Sequence, residues 1–345
     1  MSDITSIIER RRDRWRRFYD KQAAPSHLFQ ITPPYSLPYP HPNHNYEQRQ
    51  EWTARAYEDQ LEWTRRFEDD RIPSVQVHTG TEIFAEAFGC RVHRPETDMP
   101  FALPLVDNGA DAAKLRVPEL SNSTLAKIFE MADEQQRRFG PDALFMLPDM
   151  QSPLDIAALI WDKNTYYSAM IEEPEAVLEL QAKCEQLMCA FLDEWFKRYG
   201  HAAYIAHYPL YYMEGGLTLS EDEIGSISPE MFRTFALPAL NRLSDRYGGI
   251  GIHCCANSRH QWDNLKLIRG VRMLNLIQPD DIIIKAYRFF ADFACQTHSY
   301  FGAGEPKTWP SQAPAGTRIL FENIYCGSID DAVRVAEEMG EALGR

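Results

Sequence analysis

The sequence predicts an α/β fold, a (β/α)₈ barrel preceded by an N-terminal helical extension. Strand-like and helix-like stretches alternate over about 270 residues, and no break in composition divides them. Neither a GxGxxG opening a helix after a strand nor a GxxxxGK[ST] loop is present, so a nucleotide-binding doubly wound sheet has no support. A chain of 345 residues that is 44% hydrophobic and 12% aromatic can bury one large core. One domain is therefore expected over residues 1–345, with a helical arm and loop in 1–70 and the barrel in 71–345.

The elements follow from periodicity and from stop signals. Ile4, Ile8, Trp15 and Phe18 keep a helical stripe through the first segment, so the six arginines between Arg10 and Arg17 are expected on its solvated face. At Pro33 the chain enters PPYSLPYPHPN, whose prolines exclude a helix interior, and a loop over the barrel mouth is expected there. A second helix over 46–69 carries Trp52, Ala56, Trp63 and Phe67 on one side. Val75 and Val77 lead a strand to His78 and Thr79. Residues 90–118 read as an irregular excursion or hairpin, 121–139 as a helix stopped by Gly140 and Pro141, and 143–146 as a strand.

Val177, Leu180, Cys184, Leu187, Phe191 and Trp195 recur at three- and four-residue steps, the clearest helix in the chain. A strand is expected around 204–212. Ser228 and Pro229 then start a helix that Pro238 bends. Further strands are expected at Ile250–His253, Met273–Leu276, 294–300 and 319–321, with helices between them and a closing helix from Ser328.

Charge and cysteine usage exclude several classes. Fifty acidic against 36 basic residues give a formal charge of −14, which opposes binding to nucleic acid or an anionic membrane. The seven cysteines lack framework spacing, the start MSDITSIIERRRDRW has no apolar signal core, and no run reaches the roughly 18 apolar residues of a membrane span. A cytoplasmic location is expected.

The chemistry centres on IGIHCCANS. In a strand, side chains alternate with period two, so His253 and Cys255 share a face while Cys254 points away. Cys326 follows another strand and precedes a helix start with Ser328 and Asp331 in a capping-box-like arrangement. An imidazole and two thiols are a donor set for Zn²⁺, and three protein ligands with an open position mark a catalytic site.

The stretches YEDQLEWTRRFEDDRIPSV, EIFAEAFGCRV and SPEMFRTFALPAL, the H-x-C strand and the late Cys-Gly before a helix resemble the uroporphyrinogen decarboxylase superfamily. Within it they are most similar to the zinc-dependent methyltransferases that work with corrinoid proteins, such as methylcobalamin:coenzyme M methyltransferases. The resemblance implies a TIM barrel, His253, Cys255 and Cys326 as zinc ligands, and methyl transfer between a cobalamin on a partner corrinoid protein and a small methyl donor or acceptor. Ala256 stands where that branch usually has Gly, and FQITPPYSLPYPHPN holds no arginine where true uroporphyrinogen decarboxylases carry an arginine-rich motif. A metal-independent decarboxylase and a non-catalytic corrinoid- or ligand-binding barrel are the alternatives.

Further candidates sit at expected strand ends. Glu214 is a possible fourth zinc ligand or substrate contact, and His78 and Asp149 are substrate-binding candidates. His207 and His298 read as hydrogen-bonded core histidines, and Tyr208, Tyr211 and Tyr212 as packing.

Overall fold

The structure is a computed structural model that describes residues 4–24, 26–38, 46–96, 99–207, 209–298 and 304–345. Helix α1 (Ile4–Tyr19) leads into β1 (Leu28–Thr32), and α2 (Tyr46–Arg66) follows. After α3 (Leu125–Phe139), α4 (Pro153–Ile160) and α5 (Pro174–Tyr199), a hairpin of β2 (Tyr204–Ala206) and β3 (Tyr211–Met213) precedes β4 (Leu217–Ser220). The rest of the sheet is β5 (Ile250–Cys254), β6 (Val271–Leu276), β7 (Cys295–His298) and β8 (Ile319–Tyr325), and α6 (Ile329–Ala342) closes the chain.

Six of these strands form one parallel sheet in the order β1-β8-β7-β6-β5-β4. Two extended segments complete the ring. Met150 and Ser152 exchange backbone hydrogen bonds with Ser220 of β4, Phe145 bridges in parallel to Val75, and the Asp70 amide donates to the Phe29 carbonyl of β1 at 2.9 Å. The fold is thus a TIM barrel with an N-terminal helix packed outside it. The interior is filled by side chains: a Cβ at Gly251 would lie 2.0 Å from the Tyr211 hydroxyl, so only glycine lets that ring enter.

Three sequence expectations change. The first barrel strand, β1, lies inside the segment assigned to the arm, because LFQIT is short and bounded by Pro25 and Pro33. The expected strand at 204–212 is an antiparallel hairpin whose first arm, β2, bridges in parallel to Met146, and the strand that pairs with β5 is LTLS at Leu217–Ser220. The arginines of α1 are not all solvated: its buried stripe is Ile7, Arg11, Trp15 and Phe18. The helix expected after Ser228 does bend, widening into a π turn at Phe232–Ala236 that ends two residues before Pro238, which has no N–H to donate.

Arg11 is buried because it serves the barrel seam. Its guanidinium pairs with Asp69 at 2.8 Å, both side chains being 1% exposed, and donates to the carbonyls of Phe67 and Arg71. Asp69 and Asp70 in turn accept the Ile31 and Phe29 amides of β1 at 3.1 and 2.9 Å. The two carboxylates therefore stand in for a neighbouring strand where β1 would otherwise present bare N–H groups. Arg14 and Arg345 complete the pairing of Asp70. Burial pushes the Asp69 carboxyl up despite Arg11 and Arg71, so the network fixes geometry more than it adds stability.

All seven cysteines are unpaired, and no helix among the described residues is long and apolar enough to cross a membrane. Arg11→Met, which strips a buried carboxylate of its nearest partner, is expected to cost about 3–5 kcal/mol in urea unfolding. Arg10→Ala, at an exposed pair, is expected to stay within about 0.5 kcal/mol. Equal effects would contradict the seam account.

Candidate metal centre and substrate mouth

Parallel register puts Ser220, His253 and Asn275 side by side at the carboxyl ends of β4, β5 and β6. Strand alternation turns Gly251, His253 and Cys255 inward, while Cys254 lies fully buried on the other face, its thiol toward the Ala256 carbonyl. His253 is buried, and Cys255 stands exposed just past the strand.

A third donor comes from the next stave. Ligand atoms of Asp222, His253 and Cys255 all lie within 4.8 Å of one another. Asp222 follows β4 by two residues, and its Oδ1 accepts the Cys255 amide at 2.6 Å. Asp155 holds this turn from behind, accepting the Asp222 and Glu223 amides at 2.7 and 3.0 Å. Asp155 itself is placed by Ser152, whose hydroxyl caps α4 by accepting the Asp155 amide.

The histidine is oriented by a buried polar chain. His253 Nδ1 bonds the Asn275 Oδ1, while the Asn275 amide nitrogen donates to Thr297 and, at 3.1 Å, to Glu322. With the Asn275 oxygen as acceptor, the Nδ1 carries the proton and the lone pair is on Nε2. Burial lowers the His253 pKa against the opposing pull of Asn275 and the Asp222 and Asp149 carboxylates, which keeps the ring neutral. Desolvation and the Asp222 carboxylate push the Cys255 thiol up to about 12. Without a cation this cysteine is a thiol.

The donor set suits zinc. In a tetrahedral site with metal–ligand bonds of about 2.0–2.3 Å, donors lie roughly 3.3–3.8 Å apart, within reach of this cluster by small rotamer changes. Nitrogen, sulfur and carboxylate oxygen are its usual partners.

Other expected residues fall in different places. Cys326 directly follows β8 with its amide bonded to Thr32 O, but its thiol engages Asp331 of α6 and lies outside the cluster. Burial and that carboxylate push it up to about 11. Glu214 is at the opposite end of the barrel, three residues before β4 begins, where it pairs with Arg16 at 2.8 Å and accepts from Tyr212. It follows β3, the arm of the hairpin that runs antiparallel to β2 while β2 itself bridges in parallel to Met146, and this removes Glu214 from the mouth. His298 is a core residue, bonded to the Tyr287 hydroxyl at 3.0 Å and packed against Trp309. Tyr211 and Tyr212 are buried packing groups, and Tyr208 lies outside the described residues.

A cavity of about 580 Å³ opens at the same end, with Gln30, Tyr35, Arg71, His207, Glu322 and Cys326 in its wall. Pro33 and Pro34 also line it, as expected of the loop that starts there, while residues 39–43 lie outside the described residues. His207 reaches the mouth rather than the core, 3.5 Å from Asp149. The His78 ring packs near Trp52, and the Asp149 amide bonds the Thr79 hydroxyl. Asp149 and His78 are thus neighbours of the mouth through adjoining staves.

Asp222, Asn275 and Asp155 escaped sequence reasoning. The acid directly after a barrel strand was the available signal for Asp222, and it was hidden by assigning that strand to 204–212. Asn275→Leu removes the Nδ1 partner without exposing the site, and it is expected to weaken zinc binding about 10–100-fold. A competition titration with a chelator measures this, and unchanged affinity would show that the Asn275 bond does not orient the ring.

No curated protein matches the sequence. Among solved structures the chain is similar to a methyltransferase from Methanosarcina mazei, with a TM-score of 0.63 and 14% identity over 88% of this chain and 87% of that one. At that identity the likeness is one of fold. Residues 59–289, more than half of the chain, match the family described as uroporphyrinogen decarboxylase (URO-D), and the protein belongs to that family.

Proposed function

We propose that the protein is a zinc-dependent methyltransferase, moving a methyl group between a corrinoid carried by a partner protein and a small thiol or methylated substrate. The observation that carries this reading is the convergence of Asp222, His253 and Cys255 at the barrel mouth. The fold shared with a Methanosarcina mazei methyltransferase supports it.

In this reading His253 Nε2 and the Cys255 and Cys326 sulfurs are the three protein ligands. Zinc held there supplies Lewis acidity, keeping a substrate thiol as its thiolate or polarising a methylated oxygen or nitrogen. Cys326 would join by turning its side chain from Asp331. Asp222, already bonded to the Cys255 amide, would be the further oxygen donor for which the sequence suggested Glu214, and it could accept a proton from a substrate thiol. The Asn275 chain keeps the imidazole aimed, and Pro33, Pro34 and Tyr35 contribute to the wall of the cavity.

The mouth is poorly suited to the decarboxylation of a polycarboxylate. Asp149, Asp222 and Glu322 face it or border it, and Arg71 is already committed to Ile31 O and the Thr32 hydroxyl.

Near one zinc per chain is expected, lost together with methyl transfer in Cys255→Ser. Activity assayed with methylcobalamin against thiols, then with methylated phenols and amines, assigns donor and acceptor. Full activity in metal-free protein would end the proposal.

The pH dependence carries a sign. Both thiols are raised, Cys255 to about 12 and Cys326 to about 11, so near neutrality each must release a proton when it binds metal. Apparent zinc affinity should therefore rise with pH, by about tenfold per unit for each thiol ligand. Cys326→Ser should reduce that slope by one proton, and an unchanged slope would remove Cys326 from the ligand set.

A further inference from the structure

The mouth cavity of about 580 Å³ has a polar side that the proposed metal chemistry does not use. Gln30 lies in that wall, 4% exposed, and its carboxamide makes no hydrogen bond among the described residues. The carboxamide is not sealed from solvent either, so its donor and its acceptor are presented to the cavity. A nearly buried amide without a partner is uncommon, and one in a cavity wall points to a ligand.

The wall around Gln30 is shaped by a β-bulge. In the pairing of β1 with β8, Phe29 faces Phe321 and Ile31 faces Ile324, so Glu322 and Asn323 together stand opposite Gln30. Regular alternation would send those two side chains to opposite faces, whereas both line the cavity. Asn323 takes a φ of 58°, the only positive value at a non-glycine among the described residues, and its Oδ1 accepts from the Tyr325 hydroxyl at 3.1 Å. The Asn323 amide nitrogen is thus a second donor beside Gln30. Charges of both signs border the group: Arg71, which gives Nε and Nη2 to the Ile31 carbonyl and Thr32 hydroxyl and is attracted to Asp69, and the Glu322 carboxylate.

We propose that this wall is a specificity subsite for an uncharged amide carried by the substrate, with Gln30 as the residue that reads it. An amide matches the Gln30 carboxamide donor to acceptor and acceptor to donor, and its oxygen also takes an Asn323 N–H. A carboxylate would use only the donors, leave the Gln30 oxygen unpaired and sit beside Glu322. Tyr35, Leu210, Ile277 and Tyr325 add apolar surface, and the volume is within the range of about 300–1,000 Å³ for ligand sites, so the room is that of a ring bearing the amide. The Ile277 amide donates to the Cys254 carbonyl at 3.0 Å, which sets the far wall of the cavity against the strand of His253. Placement of a methyl group at the metal rests on the methyltransferase reading; binding of the amide does not.

Calorimetric titration of the full chain with 3-methoxybenzamide, 3-methoxybenzoate and 3-methylanisole, one ring with three end groups, tests it. The amide is expected to bind about tenfold or more tighter than either of the others. Gln30→Leu is expected to erase that preference and leave zinc content unchanged. Asn323→Gly keeps the positive φ and removes only the side chain; it is expected to narrow the preference about threefold or more, and it decides if Gln30→Leu fails to fold. Saturation by none of the three, the carboxylate binding as well as the amide, or a preference unchanged in the deciding variant would each overturn the subsite. Methyl transfer to cob(I)alamin is read separately. Amide preference without transfer upholds the subsite and counts against the proposed function, whereas transfer from 3-methylanisole with the same kcat/KM as from the amide overturns the subsite alone.

Discussion

The parallel register of β4, β5 and β6 is the constraint on which the candidate chemistry rests. It brings Ser220, His253 and Asn275 to one level, so that a strand-end acid, an imidazole and a thiol from neighbouring staves reach a common point. A slip of one residue in β5 would turn His253 and Cys255 into the helix layer and bring Cys254 inward. What pins the register is burial on both faces: Ile250, Ile252 and Cys254 pack outward, and Gly251 admits Tyr211 on the inner side. Packing of the core and placement of the donors are therefore one problem.

Two polar networks finish what register begins. Around His253, Asn275 links to Thr297 and Glu322, so each of four successive strands contributes a group to one buried chain. Around β1, the side chains of Asp69 and Asp70 substitute for a strand, and arginines from both chain termini neutralise them. Neither network follows from hydrophobic patterning. Each satisfies donors that barrel closure would otherwise bury unpaired, and each loses more from a missing partner than it gains from being complete.

Much of this was legible in the sequence. Alternating elements implied the barrel, α5 was readable from the stripe that runs from Val177 to Trp195, and period two alone put His253 beside Cys255 and Cys254 opposite. Local signals failed where tertiary contacts decide. YIAHYPLYYM is a stronger strand by composition than LTLS, so the hairpin hid β4 and with it Asp222. Arg11 occupies a buried helical position because a carboxylate 58 residues away meets it, which no periodicity reports. The capping arrangement at Ser328 was read correctly, with its hydroxyl accepting the Asp331 amide at 3.1 Å, but the same Asp331 also engages the Cys326 thiol. That competition for Cys326 cannot be seen from spacing.

Zinc K-edge X-ray absorption on the purified, zinc-loaded protein tests the central claim most directly. The account predicts a mixed shell with two sulfurs at about 2.3 Å and one imidazole nitrogen at about 2.0–2.1 Å, falling to a single sulfur in Cys255→Ser. A shell of nitrogen and oxygen only, unchanged by that substitution, would contradict it.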